Sequence, residues 1–258
     1  MISIENLTKV YNNVTVLNIP KLEIPNGQSF GLVGNNGAGK TTLFSMILDL
    51  IAPNSGSVTS NGIVVNKSED WKTFTGAFID ESFLIGYLTP EEYFYFIGEL
   101  RGQNKEQINE FLEPFKELFN DEILNKKKYI RDLSKGNQKK VGVVGALIGN
   151  PEVIILDEPF ANLDPTTQYR LKALIREIAS QKKVTFLISS HDLIHTTEVC
   201  SRIVVLNKGE IIKDIQTNKE TLKELEAFFS GGIIEGLEEE PSSQFVSHES
   251  EEGLNTNL

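Results

Sequence analysis

The chain has 258 residues, 40% of them hydrophobic and 24% charged, which suits one ordinary folded domain or one with an added lobe. No apolar run approaches the ~18 residues of a spanning helix, and MISIENLTKVY lacks the basic-then-apolar order of a signal peptide. Cys200 is the single cysteine, so a reducing cytoplasm is expected, and a net charge of −11 argues against nonspecific nucleic-acid binding, which draws on a basic footprint.

The first 65 or so residues read as short strands broken by turns. Ile2-Ser3-Ile4 alternates, Val14 to Leu17 is β-branched, and Pro25-Asn26-Gly27 is turn chemistry. Ser29-Phe30-Gly31-Leu32-Val33 has the continuous apolar character of a buried strand. A glycine loop follows it, and Thr42 to Leu48 then reads as helix. From Thr89 to about Lys128 the texture changes to Glu, Phe, Leu and Lys, and a helical lobe is predicted over about residues 85–145. Thr89-Pro90-Glu91-Glu92 is a helix start, with Thr as N-cap, Pro at the first helical position and Glu three residues after the cap. Phe111, Phe115, Leu118 and Phe119 are expected to share one helical face. Strand texture resumes at Val153 to Leu156, Val184 to Ile188 and Ile203 to Leu206, with a helix from Thr167 to Ala179. Apolar strands separated by helices predict a parallel sheet covered on both faces.

Gly34-Asn35-Asn36-Gly37-Ala38-Gly39-Lys40-Thr41 matches the pattern G-x-x-x-x-G-K-[ST] at every specified position. Backbone N–H groups of such a loop, with the helix that follows, cradle phosphate oxygens, and Thr42 completes the expected contact set. Lys40 is expected to reach the β- and γ-phosphates and Thr41 to bind Mg²⁺. Val153-Ile154-Ile155-Leu156 ends in Asp157-Glu158 at the carboxyl end of a strand, where ligands bind in open α/β sheets. Asp157 is placed to hold the Mg²⁺, and Glu158 to orient and deprotonate the attacking water.

Three further blocks carry a resemblance. Leu133-Ser134-Lys135-Gly136-Asn137-Gln138 resembles the signature motif of ABC ATPases, whose common form is LSGGQ. Glu158-Pro159 with Ala161-Asn162-Leu163-Asp164-Pro165 is similar to that family's D-loop, and Ser189-Ser190-His191-Asp192 resembles its switch histidine segment. The order and spacing of the blocks resemble the family from about residue 2 to 215. The resemblance implies a P-loop NTPase core with a mixed, mainly parallel sheet, an antiparallel N-terminal β part and an inserted helical lobe. It implies ATP as ligand and Ser134 and Gly136 facing the γ-phosphate held by a second subunit. His191 would hold Glu158 and its water in line, and Asp164 would organise the dimer. Tyr11 falls where the family carries an aromatic against adenine, although a tyrosine there also suits a core or plain surface position. His195 belongs to no motif and is expected at the surface.

The sequence departs from the family at two places. Gly76-Ala77-Phe78-Ile79-Asp80-Glu81 aligns with the family's G-Y-V-P-Q-E, putting Asp80 where a Mg²⁺-coordinating glutamine sits, with Glu81 the alternative if the register slips by one. The signature carries Lys135 and Asn137 in place of its usual residues. Phe83, Tyr87, Tyr93, Phe94, Tyr95 and Phe96 precede and open the lobe. They suit either a groove for a membrane subunit or the lobe's own core.

What the resemblance implies is an ATP-hydrolysing transporter subunit. It would pair head to tail with a second ATPase domain, as a homodimer or a heterodimer, and drive a separate transmembrane permease from the cytoplasmic face of the cell membrane. A soluble ABC ATPase without transport, such as an assembly scaffold, is the competing expectation. Residues 1–230 are expected to form the ATPase domain and residues 231–258 an acidic, flexible tail. That tail holds seven glutamates and no Lys or Arg, so without it 29 acids face 25 bases. Most of the net charge belongs to the tail, and the exclusion of nucleic acid then rests on the lack of a basic stripe.

Overall fold

In the computed structural model, residues 1–181 and 183–237 are described. Two sheets organise them. The first is antiparallel and four-stranded, β2-β1-β4-β5, from β1 (Ile2–Tyr11), β2 (Val14–Ile24), β4 (Ser55–Ser60) and β5 (Ile63–Val64). The second has six strands in the order β10-β9-β3-β8-β7-β6, from β3 (Ser29–Val33), β6 (Thr75–Phe78), β7 (Val153–Asp157), β8 (Thr185–Ser190), β9 (Arg202–Asn207) and β10 (Glu210–Gln216). Its pairings are parallel except for β10 on β9. The strands at its centre, β3, β7 and β8, are buried at every position, which is why they read as unbroken apolar runs.

Register aligns the carboxyl ends of these strands. Val33 pairs with Ser190 and Asp157 with Ser189, so the loop after β3, the two acids after β7 and the serines ending β8 emerge together. The loop after β3 runs into helix α1 (Lys40–Ile47), whose Leu43, Phe44, Met46 and Ile47 pack into the core with Ile4, Leu17, Ile19 and Phe30.

Between β6 and β7 lie α2 (Pro90–Leu100), α3 (Lys105–Leu112), α4 (Lys116–Phe119) and α5 (Lys135–Leu147). The Thr89 capping box is formed: the Thr89 hydroxyl accepts from Glu92 N–H at 3.3 Å, and Glu92 accepts from Thr89 N–H at 2.8 Å. Phe111, Phe115, Leu118 and Phe119 do not share one continuous helix. Pro114 lacks an N–H and ends α3, a 3₁₀ turn over Glu113–Phe115 follows, and α4 carries the last two. Arg101, at the end of α2, ties this lobe to the core by donating to the carbonyls of Lys72 (3.0 Å), Thr73 and Thr75 (2.6 Å).

Residues Met1–Leu222 form one unit, completed by α6 (Pro165–Ser180) and α7 (Leu193–Val199). A last helix, α8 (Thr221–Leu237), continues past Gly231, where the sequence predicts an extended tail. The rest of the predicted tail, residues 238–258, lies outside the described residues. Among those that are described, no helix is long and apolar enough to cross a membrane.

Candidate nucleotide-binding and hydrolysis site

The loop after β3 needs its glycines for two physical reasons. A Cβ on Gly34 would stand 2.3 Å from the Leu206 carbonyl, and Gly39 has φ 107° where it caps α1. Tyr11, Val16, Asn36, Gly37, Ala38, Gly39, Lys40, Thr41, Thr42 and Glu158 together line a cleft of about 300 Å³. Asn35 turns its carbonyl to Ala38 N–H (3.1 Å) and to the Lys40 ammonium (3.4 Å). Tyr11 stands at the rim, half exposed, with the Lys9 ammonium 4.9 Å over its ring.

Lys40 is buried and donates to the Gly34 carbonyl at 2.7 Å while standing 3.4 Å from Glu158 Oε1. His191 Nδ1 lies 2.9 Å from Glu158 Oε2. The Glu158 carboxylate is therefore held between two nitrogens, one from the first residue of α1 and one from the segment after β8, at the edge of the cleft. Its own backbone is in the left-handed region, φ 47°, which is costly for a residue with a Cβ and common where function demands a fixed geometry.

Behind it, Thr41 Oγ1 donates to Asp157 Oδ2 at 2.5 Å, and Ser189 Oγ donates to Asp157 Oδ1. Burial pushes the Asp157 carboxyl above the ordinary Asp range, against the pull of the two hydroxyls. A buried carboxylate beside a hydroxyl is a hard-oxygen set of the kind that suits Mg²⁺. Ser189 also accepts from Glu158 N–H at 3.0 Å. Sequence reasoning assigned Ser189 no role, although its place at the end of a buried strand, two residues before His191, was visible.

Asp80 is not brought to the Thr41–Asp157 pair by any hydrogen bond. It is exposed and caps its own 3₁₀ turn, Oδ1 accepting from Ser82 N–H at 2.8 Å, and that bond with the nearby Lys135 and Lys139 charges lowers its pKa. The next residue, Glu81, turns inward to the buried Lys139, 3.5 Å away. Ser134 caps α5 by accepting from Asn137 N–H at 3.2 Å, and Gly136 follows it in the first turn. Neither lines the cleft of its own chain. Asp164 caps α6 through the Thr167 amide (3.0 Å) and hydroxyl (2.5 Å). His195 is not a surface residue: its side chain is 14% exposed, with its ring 5.0 Å from that of Phe160.

The aromatic group divides. Phe94 is fully buried and stacks on Phe119 at 5.8 Å, whereas Phe83, Tyr87 and Phe96 are exposed. Tyr93 and Tyr95 are half-buried, the latter donating to Asn109 Oδ1 at 2.8 Å.

Residues 17–161 match the family model described as ABC transporter. The chain is 35% identical over 210 residues to the ABC transporter ATP-binding protein YhaQ of Bacillus subtilis strain 168, covering 81% of this chain and 69% of that protein. It is 32% identical over 223 residues to the bacitracin transport ATP-binding protein BcrA of Enterococcus faecalis, covering 85% of this chain and 70% of that one. Its fold is similar to that of the ATP-binding cassette MJ0796 in a dimeric, post-hydrolysis state bound to ADP and Pi, with a TM-score of 0.75, 24% identity and coverage of 84% of this chain and 99% of that one. The P-loop cleft, the family match and these relatives agree, and the chain belongs to the ABC transporter family as one of its ATP-binding, ATP-hydrolysing cassettes.

Proposed function

We propose that the chain is the motor subunit of an ABC transporter, hydrolysing ATP between two head-to-tail cassettes to drive a separate transmembrane permease at the cytoplasmic membrane face. The observation that carries this reading is the Glu158 carboxylate held by Lys40 and His191 beside the phosphate cleft. In this reading Asn36 to Thr42 take the phosphates and Tyr11 takes the base. Lys40, which here donates to main-chain carbonyls, exchanges them for phosphate oxygens that are better acceptors. Glu158 accepts the proton of the attacking water, and His191 fixes the carboxylate's orientation. Thr41 and Asp157 are the residues that would hold Mg²⁺, which neutralises charge on the phosphates when bound.

Ser134 and Gly136 lie at the N-terminus of α5, away from their own chain's cleft. That placement supports their acting on the nucleotide of a second cassette, where an orphan-donor helix end faces an anion. The exposed Phe83 and Tyr87, in and just after the turn that follows β6, support a permease contact there, since aromatics are enriched in such interfaces. Glu158→Gln tests the reading. It is expected to bind ATP normally, lose turnover and accumulate an ATP-bound dimer by light scattering. Unchanged turnover with no dimer overturns it.

A further inference from the structure

Lys139 belongs to no motif, yet its ammonium is among the most enclosed charges in the protein, with the side chain 7% exposed on α5. Its Nζ donates to the Glu158 main-chain carbonyl at 2.8 Å. That carbonyl lies one residue past the last paired position of β7 and, among the described residues, otherwise accepts only the turn bond from Ala161 N–H, at 3.3 Å. On its other side Lys139 stands 3.5 Å from Glu81 Oε1, an atom closed to solvent that accepts no hydrogen bond of its own. A buried ammonium needs such partners, because an unpaired one is strongly disfavoured in a low-dielectric interior.

The peptide it grips belongs to a left-handed residue. Glu158 has φ 47°, its N–H is donated to Ser189 and its carbonyl is held by Lys139, so both ends of a left-handed residue are pinned by buried groups. The side chain of Glu158 points elsewhere, to Lys40 and His191. Lys139 therefore acts on that carboxylate only through the backbone. We infer that Lys139 is a positioning residue that locks Glu158 in its left-handed conformation and ties it, through Glu81, to the turn after β6.

This rests on the reading of Glu158 as the hydrolytic base, and the test separates the two. Lys139→Met removes the charge and keeps most of the bulk; Lys139→Gln is the second variant if the first does not fold. Either is expected to lower kcat about tenfold or more while leaving the KM for ATP unchanged, since a misaligned base is felt in the chemical step. Lys139→Arg restores most of the rate, and Glu81→Gln loses part of it. In a Glu158→Gln background, Lys139→Met leaves the residual single-turnover rate unchanged if it works through Glu158, whereas a further fall of about tenfold in that residual rate overturns the inference. Turnover in Glu158→Gln alone equal to wild type removes the catalytic reading instead. Amide hydrogen exchange across residues 157–162 is independent of both: it speeds in Lys139→Met and not in Lys139→Arg. Wild-type exchange and wild-type kcat in both Lys139→Met and Lys139→Gln refute the positioning role.

Discussion

Ser189→Ala takes away one oxygen that serves two of the site's acids. Ser189 is fully buried, its hydroxyl donates to Asp157 Oδ1, and it accepts from Glu158 N–H at 3.0 Å. A hydrogen bond to a charged group contributes about 1.5–3 kcal/mol, and leaving a buried N–H without an acceptor costs about 1–3 kcal/mol. The two terms overlap, because both groups can relax once the shared oxygen is gone, so a loss of about 3 kcal/mol is expected. For a domain of this size that lowers Tm by roughly 6–12 °C. Urea unfolding is followed conveniently by Trp71, the only tryptophan, buried with its Nε1 donating to the Val65 carbonyl at 2.9 Å. ATP turnover of the same variant is expected to fall about tenfold at unchanged KM, because the Glu158 peptide loses one of its two anchors while Lys40 and the phosphate loop keep theirs. An urea midpoint and kcat both equal to wild type would show that the Asp157–Ser189–Glu158 chain carries no energy, and the account of the left-handed Glu158 would fall with it.

Asp164 provides the pH test. Its bonds from Thr167 hold the carboxyl below the ordinary Asp range, so the α6 cap contributes stability above the unfolded-state pKa that is lost as pH falls through the lowered one. Asp164→Asn keeps a good cap without the titration, so its stability relative to wild type rises on acidification, whereas Asp164→Ala costs about 1 kcal/mol near neutrality. A wild-type-to-Asn difference that is flat with pH contradicts this. Asp80→Ala is expected to leave the Mg²⁺ midpoint of turnover unchanged, since Asp80 caps its own turn; a displaced midpoint restores it to the metal site. Replacing Phe83 and Tyr87 with alanine is expected to spare nucleotide affinity and basal turnover in the isolated cassette. Stimulation on co-reconstitution with the permease should be lost, and a parallel fall in ATP affinity would speak against an interface role.

Three features illustrate how far the sequence could be read. Residues 34–41 were recognisable because a phosphate cradle is built from consecutive backbone amides, and the glycines that permit its φ angles must sit at fixed offsets. Asp157 and Glu158 were recognisable because an apolar run ending in acids marks the carboxyl end of a buried strand. The Thr89 capping box was equally local. By contrast, Tyr93, Phe94, Tyr95 and Phe96 are consecutive and so point around the whole of α2. Only the packing of Phe94 on Phe119 selects the inward one. Asp80 and Glu81 also look interchangeable in sequence, and the choice fell to the turn, whose cap takes the first carboxylate and leaves the second to meet Lys139.

By itself the sequence determined the strand–loop–helix unit of residues 29–48, because the glycine, lysine and threonine offsets that mark it lie within a dozen residues, although Lys40 and Thr41 go on to meet Glu158 and Asp157 far along the chain. What only the tertiary structure decided is the company Glu158 keeps. Parallel register sets Asp157 opposite Ser189, and α5 lays Lys139 against the next carbonyl. His191 arrives from beyond the far end of β8. These groups are separated along the chain by 19 to 33 residues, and no local pattern records which of them will meet. Side-chain contact across a sheet is fixed by strand order and register, and those are properties of the folded whole.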